Sequence, residues 1–298
     1  MLFNFDFLKI NKKINKLIVA GFIFFFIIVY FLVSAPFRSV DTNIHISQGQ
    51  SFRSVASELK DKKVIRNKFI LEIFCFVFKK NGSISEGDYL FYRNTPIYKV
   101  AWQITKGSHN TEMIKITLRE GITNEQIAEL LKSKLTDFDE NKFLELATDK
   151  QGYLFPDTYF LYPMTTEEEV IKEMSDNFNN KIQDINLNNK NLKDIIIMAS
   201  LLEGEASGNE DVFIISGILW KRLEIGMRLQ IDASPETYDD LGLPEKPINN
   251  PGLDFIKAAI NPIDSEYLFY LHDDEGNVHF SKSFEEHKLN IKKYLKIN

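Results

Sequence analysis

The chain has 298 residues, 44% of them hydrophobic, which is enough for one or two folded domains. Its formal net charge of −6 and pI of about 5.5 argue against the basic surface that binding of nucleic acid normally requires. The single cysteine, Cys75, excludes an intramolecular disulfide, and the histidines follow no metal-binding spacing, so we expect no metal and no cofactor.

An apolar run without charges extends over residues 17–35 and follows four lysines within residues 9–16. About 20 helical residues cross a hydrocarbon core of about 30 Å, and lysines favour the cytoplasmic side. We therefore predict a cytoplasmic N-terminus over 1–16, a single transmembrane helix over 17–35 in the plasma (inner) membrane, and a linker over 36–43 that leads to an external domain. A cleavable signal peptide is the alternative, although residues 34–36 (Ser-Ala-Pro) offer no clean cleavage site.

A weak internal repeat follows the linker, because the pattern of residues 44–59 recurs 72 residues later in residues 116–131. In each copy, alternating apolar residues predict a strand, a glycine predicts a turn, and a serine or threonine caps a helix. Such a strand–turn–helix unit is LysM-like, so we predict a LysM-like region over residues 44–135. Two ordinary strand–helix units with generic patterning are the alternative. Between the copies, residues 86–91 predict a turn and a strand.

The second half of the chain is predicted to contain both helices and strands. Residues 137–190 indicate mixed helix and loop, and residues 194–203 are apolar on nearly every face, which predicts a buried helix. An amphipathic helix is predicted from Asn209, as its cap, to Leu223, with Gly226 ending it. The remaining predicted elements are a helix at 253–260, a hairpin from 267 to 280 and a closing helix at 283–295.

Glu203 ends the buried apolar helix and is the candidate catalytic residue. Partial desolvation and the negative end of a helix dipole both raise the pKa of a carboxyl group. A neutral carboxyl group is what general-acid cleavage of a glycosidic bond requires. The alternative is a structural glutamate that pairs with Arg222 or Arg228.

Glu205 cannot be the second carboxylate of a glycosidase pair with Glu203. Two residues apart on a helix, the two side chains point about 200° away from each other and cannot flank one sugar. If Glu203 is catalytic, it works alone or with a distant partner, for which Asp157 and Asp232 are the candidates.

Five ordered motifs resemble the endolytic murein transglycosylase family, also called the MltG or YceG-like family, and the resemblance covers nearly the whole chain. It implies an α+β fold: a transmembrane helix, a LysM-like βα subdomain, and a mixed α/β YceG-like catalytic domain over residues 136–298. The motifs are Phe-Pro-Asp-Thr-Tyr at 155–159, Ala-Ser-Leu-Leu-Glu-Gly-Glu at 199–205, the segments 222–232 and 242–252, and His279-Phe280-Ser281 with His287.

The resemblance also implies the chemistry. The family's catalytic acid falls on Glu203, which would cleave peptidoglycan glycan strands without water between N-acetylmuramic acid and N-acetylglucosamine. Glu203 would act as acid and then as base towards the muramic C6 hydroxyl, leaving 1,6-anhydro ends and limiting the length of nascent strands. The implied partners are glycan strands, the membrane and peptidoglycan synthases. The candidate substrate-binding residues are Tyr153, Asp157, Tyr159, Glu205, Gln230, Asp232, Tyr238 and Asn250.

Two departures from the family pattern affect the expected cleft. Residues 232–238 fuse two motifs that the family usually separates, with Glu236 where asparagine is usual, and Gly204 is smaller than the residue often found there. Two other functions stay open at this stage. One is a hydrolytic muramidase, in which water replaces the C6 hydroxyl, and the other is a non-catalytic LysM-type scaffold that binds the cell wall.

Overall fold

The computed structural model describes residues 18–26, 30, 33–37, 39–79, 83–205 and 211–295. The chain divides into two compact units, one that ends at Met113 and one that begins at Ile114. The second copy of the repeat therefore belongs to the second unit, whereas the predicted LysM-like region extends to residue 135. The predicted functional boundary between residues 135 and 136 stays a prediction.

Part of the predicted N-terminal anchor lies outside the described residues: positions 1–16, together with 17, 27–29 and 31–32 of the predicted span. Residues 18–26 are helical and exposed. Within the described part of the chain, no helix is both long enough and apolar enough to cross a membrane, so the predicted transmembrane helix is not found there.

The first unit surrounds a small antiparallel sheet with three helices. Thr42 pairs with Phe91 at one end of the two-stranded ladder. Gly49, at a φ of +77°, makes the turn after the first strand, and the Ser51 side chain accepts a hydrogen bond from the backbone of Ser54 to cap the first helix. The elements are β1 (Thr42–Ile46), α1 (Phe52–Asp61), α2 (Lys68–Phe78), β2 (Gly87–Phe91) and α3 (Ile97–Lys106).

The second unit begins with the same local geometry. Gly121, at a φ of +71°, makes the turn, and Thr123 caps the helix in a capping box with Gln126. The predicted strand–turn–helix arrangement is therefore confirmed in both copies, whereas their LysM-like character stays a prediction. The elements are β3 (Ile114–Thr117), α4 (Asn124–Lys132), α5 (Glu140–Leu146), β4 (Thr158–Leu161), which pairs antiparallel with β3, and α6 (Glu167–Ile182).

The rest of the second unit is built around one buried helix. Residues 195–202 of this helix, α7, are all buried, as its apolar sequence predicted, and they pack with α8, α9 and the closing hairpin in one core. The elements are α7 (Leu192–Glu205), α8 (Val212–Glu224), a 3₁₀ turn (Pro235–Tyr238), α9 (Leu253–Ile260), the hairpin strands β5 (Phe269–His272) and β6 (Val278–Ser281), and α10 (Phe284–Tyr294).

The predicted helix at 253–260, the hairpin and the closing helix are confirmed. The predicted start of α8 is not: the helix begins at Val212, and Asp211 at its N-cap position makes no side-chain capping hydrogen bond. Asn209, the predicted cap, lies outside the described residues. Taken over both units, the described elements form a mixed α/β architecture.

Candidate active site

Glu203 lies in the last turn of α7, where the buried helix reaches the surface of its unit. Its side chain is partly buried, and Oε2 accepts a hydrogen bond of 3.0 Å from the backbone N–H of Gly252. Gly252 is the N-cap residue of α9. The end of one helix and the start of another therefore hold this carboxyl group between them.

Two glycines allow a second carboxyl group to approach this site. A Cβ atom on Gly121 would lie 3.0 Å from Cγ of Glu203. A Cβ atom on Gly252 would lie only 2.1 Å from Cδ of Glu120. Because neither glycine has a side chain, the turn that carries Glu120 and Gly121 packs directly beside Glu203 and Gly252.

The surroundings of Glu203 favour its protonated form. Burial raises the pKa of its carboxyl group to about 7, with a further increase from the negative charge of Glu120, although the hydrogen bond from Gly252 works in the opposite direction. The predicted direction of the pKa shift is confirmed. A carboxyl group with a pKa near neutrality is able both to donate and to accept a proton at the operating pH, as a general acid–base catalyst must.

The alternative of a structural ion pair is not what the structure shows. Arg222 donates from Nε to the backbone oxygen of Leu268 at 2.7 Å and from Nη1 to that of Leu229 at 2.5 Å. Arg228 donates from Nε to the backbone oxygen of Asp239 at 3.1 Å. Among the described residues, neither arginine pairs with Glu203, whose carboxyl group is therefore not neutralised by a cation.

Glu205 makes hydrogen bonds of its own with two residues, Ala233 and Tyr270. Its Oε1 accepts a hydrogen bond of 3.2 Å from the backbone N–H of Ala233, and its Oε2 accepts one of 3.4 Å from the hydroxyl of Tyr270. The carboxyl groups of Glu203 and Glu205 thus have different partners, in agreement with their spacing on the helix.

Gly204 packs closely against Ala233 of the fused segment, residues 232–238. A Cβ atom on Gly204 would lie 2.7 Å from Cβ of Ala233 and 3.2 Å from Cδ1 of Ile248. Ala233 therefore occupies the space that a larger residue at position 204 would need. The two departures from the family pattern, the small residue and the fused segment, fit each other physically.

Two predicted substrate-binding residues, Asp232 and Tyr238, lie on this fused segment, and a third, Gln230, lies just before it. The Tyr238 hydroxyl donates to Oδ1 of Asp232 at 2.5 Å, and this hydrogen bond, together with burial, raises the pKa of Tyr238 to about 12. Gln230 adopts a φ of +53°, and its backbone N–H donates to the oxygen of Thr237. All three side chains are exposed, and Ala233 joins their segment to Glu205.

Asp157 contacts α6. Its Oδ2 accepts from Nδ2 of Asn177 at 3.2 Å and pairs with Nζ of Lys181 at 3.1 Å, and its Oδ1 accepts from the backbone of Thr158. Burial opposes ionisation, but these hydrogen bonds and the lysine hold the pKa of Asp157 below its ordinary value. The Asp157 carboxylate is therefore already paired with groups of α6, and its role as a distant partner for Glu203 stays a prediction.

Tyr153 and Tyr159 both contact neighbouring residues of the second unit. The Tyr159 side chain is buried, its hydroxyl donates to the backbone oxygen of Phe155 at 2.5 Å, and burial raises its pKa to about 12. Tyr153 packs edge-on against Phe178 with ring centroids 5.2 Å apart. Tyr159 thus lies in the core, and the contacts of both tyrosines with substrate stay predictions.

Asn250 is fully buried, and its side chain is saturated with hydrogen bonds. Its Oδ1 accepts from the backbone N–H groups of Gly152 and Leu154, and its Nδ2 donates to the oxygen of Ile122 and to Oδ1 of Asn124. It joins three segments of the chain beside the Glu120–Gly121 turn. In this structure the Asn250 side chain holds other segments in position, and its contact with substrate stays a prediction.

Sequence reasoning missed Glu120 and the two glycines as parts of this site. The sequence predicts Gly121 only as a turn residue, and it gives Gly252 only as the end of the 242–252 motif. Their meeting with Glu203 depends on long-range packing, which leaves no local pattern. In the described ranges, no group of histidine, cysteine and acidic side chains is arranged to hold a metal ion.

Comparison with known sequences gives consistent results. The model of the YceG-like family matches residues 44–236 and 236–293. A Bacillus subtilis (strain 168) protein named endolytic murein transglycosylase is 26% identical in an alignment that covers 85% of this chain and 84% of that protein. A Streptococcus pneumoniae (serotype 2, strain D39) protein of the same name is 23% identical in an alignment that covers 85% of this chain and 58% of that protein.

The fold is also similar to a solved structure. The 2.6 Å crystal structure of a putative yceG-like protein from Listeria monocytogenes matches with a TM-score of 0.52 and 23% sequence identity. The match covers 84% of this chain and 98% of the Listeria chain. At this level of identity, the similarity shows the fold alone.

Proposed function

The chain belongs to the YceG-like family, and we propose that it is an endolytic murein transglycosylase, a lytic enzyme of peptidoglycan, in which Glu203 is the acid–base catalyst. The proposed activity is supported by two relatives named endolytic murein transglycosylase, each of which aligns with 85% of this chain. The single observation that carries the catalytic role is the environment of Glu203. Its carboxyl group is partly buried, has a raised pKa, accepts from Gly252 and, among the described residues, has no arginine partner.

In the proposed reaction, the Glu203 carboxyl group donates its proton to the glycosidic oxygen as the bond to muramic C1 breaks. The resulting carboxylate then accepts the proton of the muramic C6 hydroxyl while O6 forms a bond to C1. The products are a strand with a free N-acetylglucosamine hydroxyl and a strand with a 1,6-anhydro end. Glu203 regains its proton, so one carboxyl group suffices and no water is consumed.

Glu120 assists this cycle from the turn before α4. Its negative charge raises the pKa of Glu203 and so favours the protonated form that starts the reaction. After the first proton transfer, the same charge makes the Glu203 carboxylate a stronger base. The Gly252 N–H stabilises the carboxylate in this second state. Glu120 and Gly252 therefore shift the pKa of Glu203 in opposite directions, which keeps the group able both to donate and to accept a proton.

Substrate contacts come from three exposed side chains: Asp232 and Tyr238 on the fused segment, and Gln230 just before it. Sugar hydroxyls need fixed hydrogen-bonding partners, and a phenol ring offers an apolar face to a sugar ring. Glu205 supports this segment through the N–H of Ala233, so its role is to position the segment and not to transfer protons.

Three further features complete the proposal. The uncharged run and the preceding lysines support a single-pass anchor in the plasma membrane with the enzyme outside. A membrane-bound enzyme that cuts within strands would limit the length of nascent glycans and work beside peptidoglycan synthases. The two repeat copies support a LysM-like region that contacts glycan.

The test is mass spectrometry of purified glycan strands after incubation with the full chain in detergent. We expect ends lighter by one water than hydrolysed ends, and no such products with Glu203→Gln. Reducing muramic acid ends would instead identify a muramidase. Absence of any cleavage, combined with retained binding of strands by both proteins, would favour the scaffold.

A further inference from the structure

Helix α2 in the first unit exposes a stripe of large apolar side chains. Phe69, Ile73, Phe76 and Val77 are 65%, 44%, 63% and 67% exposed, respectively. Their spacing of four, seven and eight residues places them on one side of the helix. Contiguous apolar surface of this kind marks a site of interaction in a folded protein.

This stripe is not the side of α2 that stabilises the fold. Leu71 and Cys75 are buried in the core of the first unit, with Ile70, Phe74 and Phe78 packed against that core. Burial raises the pKa of the Cys75 thiol to about 12, as expected for an inert core residue. The helix is therefore apolar on both sides although only one side is buried, and the exposed side needs another explanation.

Helix α3 extends the same apolar surface with two aromatic residues. Tyr98 and Trp102, one helical turn apart, are 41% and 45% exposed. The rings of half-buried Phe74 and of Tyr98 are 6.3 Å apart, so the exposed aromatic residues of α3 lie beside α2. Tyrosine and tryptophan are the residues that concentrate at the interface between lipid and water, because each has an apolar ring and a polar group.

The end of the N-terminal apolar run lies against the start of α2. Arg66, just before the helix, donates from Nε and Nη2 to the backbone oxygen of Ala35 at 2.9 and 2.7 Å. Val33 packs against the core of the first unit. The point at which the run would leave a bilayer is thus tied to the first unit, at the end of α2 that carries Phe69.

We propose that this surface, formed by Phe69, Ile73, Phe76, Val77, Tyr98 and Trp102, docks on the outer face of the lipid bilayer that holds the N-terminal run. The proposal rests on the membrane anchor proposed above. Lys68 at the start of α2 and Lys79 after its end place cations where lipid phosphates lie, beside a stripe of side chains that enter the acyl region. The first unit would then lie on the membrane and not swing freely on a linker.

The test uses the full chain in vesicles of phosphatidylethanolamine and phosphatidylglycerol, with lipids brominated in the acyl chains as short-range quenchers of tryptophan fluorescence. The chain has two tryptophans, Trp102 on the proposed surface and Trp220 in the second unit. We expect bromination to quench the wild-type protein. Trp102→Phe, which leaves Trp220 as the only tryptophan, should lose that quenching of tryptophan fluorescence.

Phe76→Asp tests the surface itself, and Leu289→Asp, at a 66% exposed position on α10, is the matched control. We expect Phe76→Asp to lose the quenching of Trp102 while the protein still floats with the vesicles, and the control to retain it. Flotation of the wild-type protein without quenching of Trp102 would overturn the docking surface and leave the anchor intact. Failure to float would overturn both, whereas cleavage of glycan strands in detergent tests the enzyme separately. Absence of quenching with a Phe76-dependent change in oligomer size would assign the surface to a second copy of the chain.

Discussion

The carboxyl group of Glu120 occupies the space that a side chain on Gly252 would fill, with a Cβ there only 2.1 Å from Cδ of Glu120. Gly252 in turn donates its backbone N–H to Glu203. One glycine therefore brings both a hydrogen-bond donor and a second negative charge to the carboxyl group that carries the proposed chemistry. The balance between these two influences yields specific predictions.

Glu120→Gln should shift the pH dependence of activity. Removing the negative charge lowers the pKa of Glu203, so the fraction that is protonated falls at pH values near and above 7. The alkaline limb of kcat/KM should therefore move to lower pH by about half to one pH unit. Glu125→Gln, which removes a charge from an exposed position in the first turn of α4, is the control. A Glu120→Gln profile equal to that of the control would exclude this role.

Gly252→Ala should act in the same direction by a different route. Position 252 has a φ of −72° and a ψ of 167°, which alanine adopts without strain, so the fold should be retained. The new Cβ must displace the flexible Glu120 side chain, while the N–H to Glu203 remains. We expect the alkaline limb to move to lower pH, as measured by initial rates across pH 5–9, and little further effect of Gly252→Ala in a Glu120→Gln background. Additive shifts would show that the two residues act independently.

The local structure around this site followed from the sequence, because short-range rules decide it. The alternation before Gly121, the cap at Thr123 and the apolar residues at helical spacing correctly predicted strand, turn and helix. The apolar residues of α7 likewise predicted a buried helix and, through burial, the raised pKa of Glu203.

The partners of Glu203 could not be predicted from the sequence, because residues 120 and 252 are distant along the chain and meet only through tertiary packing. The same limit explains Asp157 and Asn250. A motif shows that a residue matters but not which way its side chain points: Asp157 is neutralised by Lys181, and Asn250 is buried. Side-chain direction at such positions depends on neighbours that local patterns do not identify.

Asn250→Ala should destabilise the protein. The substitution leaves the backbone N–H groups of Gly152 and Leu154 and Oδ1 of Asn124 without their partner in the interior, whereas the Ile122 oxygen keeps its hydrogen bond from the backbone N–H of residue 250. Each buried unsatisfied group costs about 1–3 kcal/mol, so we expect a loss of about 3 kcal/mol or more, measured by urea denaturation. Asn261→Ala, at an exposed position, should cost much less. Unchanged stability with lost activity would instead support the substrate contact that the sequence predicted.

Glu203→Gln should abolish most activity, and Glu205→Gln should not. Glutamine keeps the acceptor for the Gly252 N–H but cannot give up and regain a proton, so kcat should fall by about two to four orders of magnitude. At position 205, glutamine still accepts from Ala233 and is able to contact Tyr270, so we expect a loss of less than about tenfold. Release of anhydro ends from purified strands measures both. Equal losses in the two variants would contradict a single acid–base residue.

Glu203→Gln should also change how stability depends on pH. In the folded protein the pKa of Glu203 is about 7, above its ordinary value of 4.5, so between these pH values the folded state binds more protons than the unfolded state. The stability that Glu203 contributes is therefore fully present below pH 4.5 and is lost as the pH rises through 7.

Glutamine does not titrate, so the Glu203→Gln variant should gain stability relative to the wild type between pH 4 and pH 8. We expect a relative gain of about 1–2 kcal/mol, since partial exposure weakens the effect. Urea denaturation at both pH values measures it, with Glu125→Gln as the control for loss of one negative charge. A constant difference between Glu203→Gln and the wild type across this range would show that the Glu203 carboxyl group has an ordinary pKa.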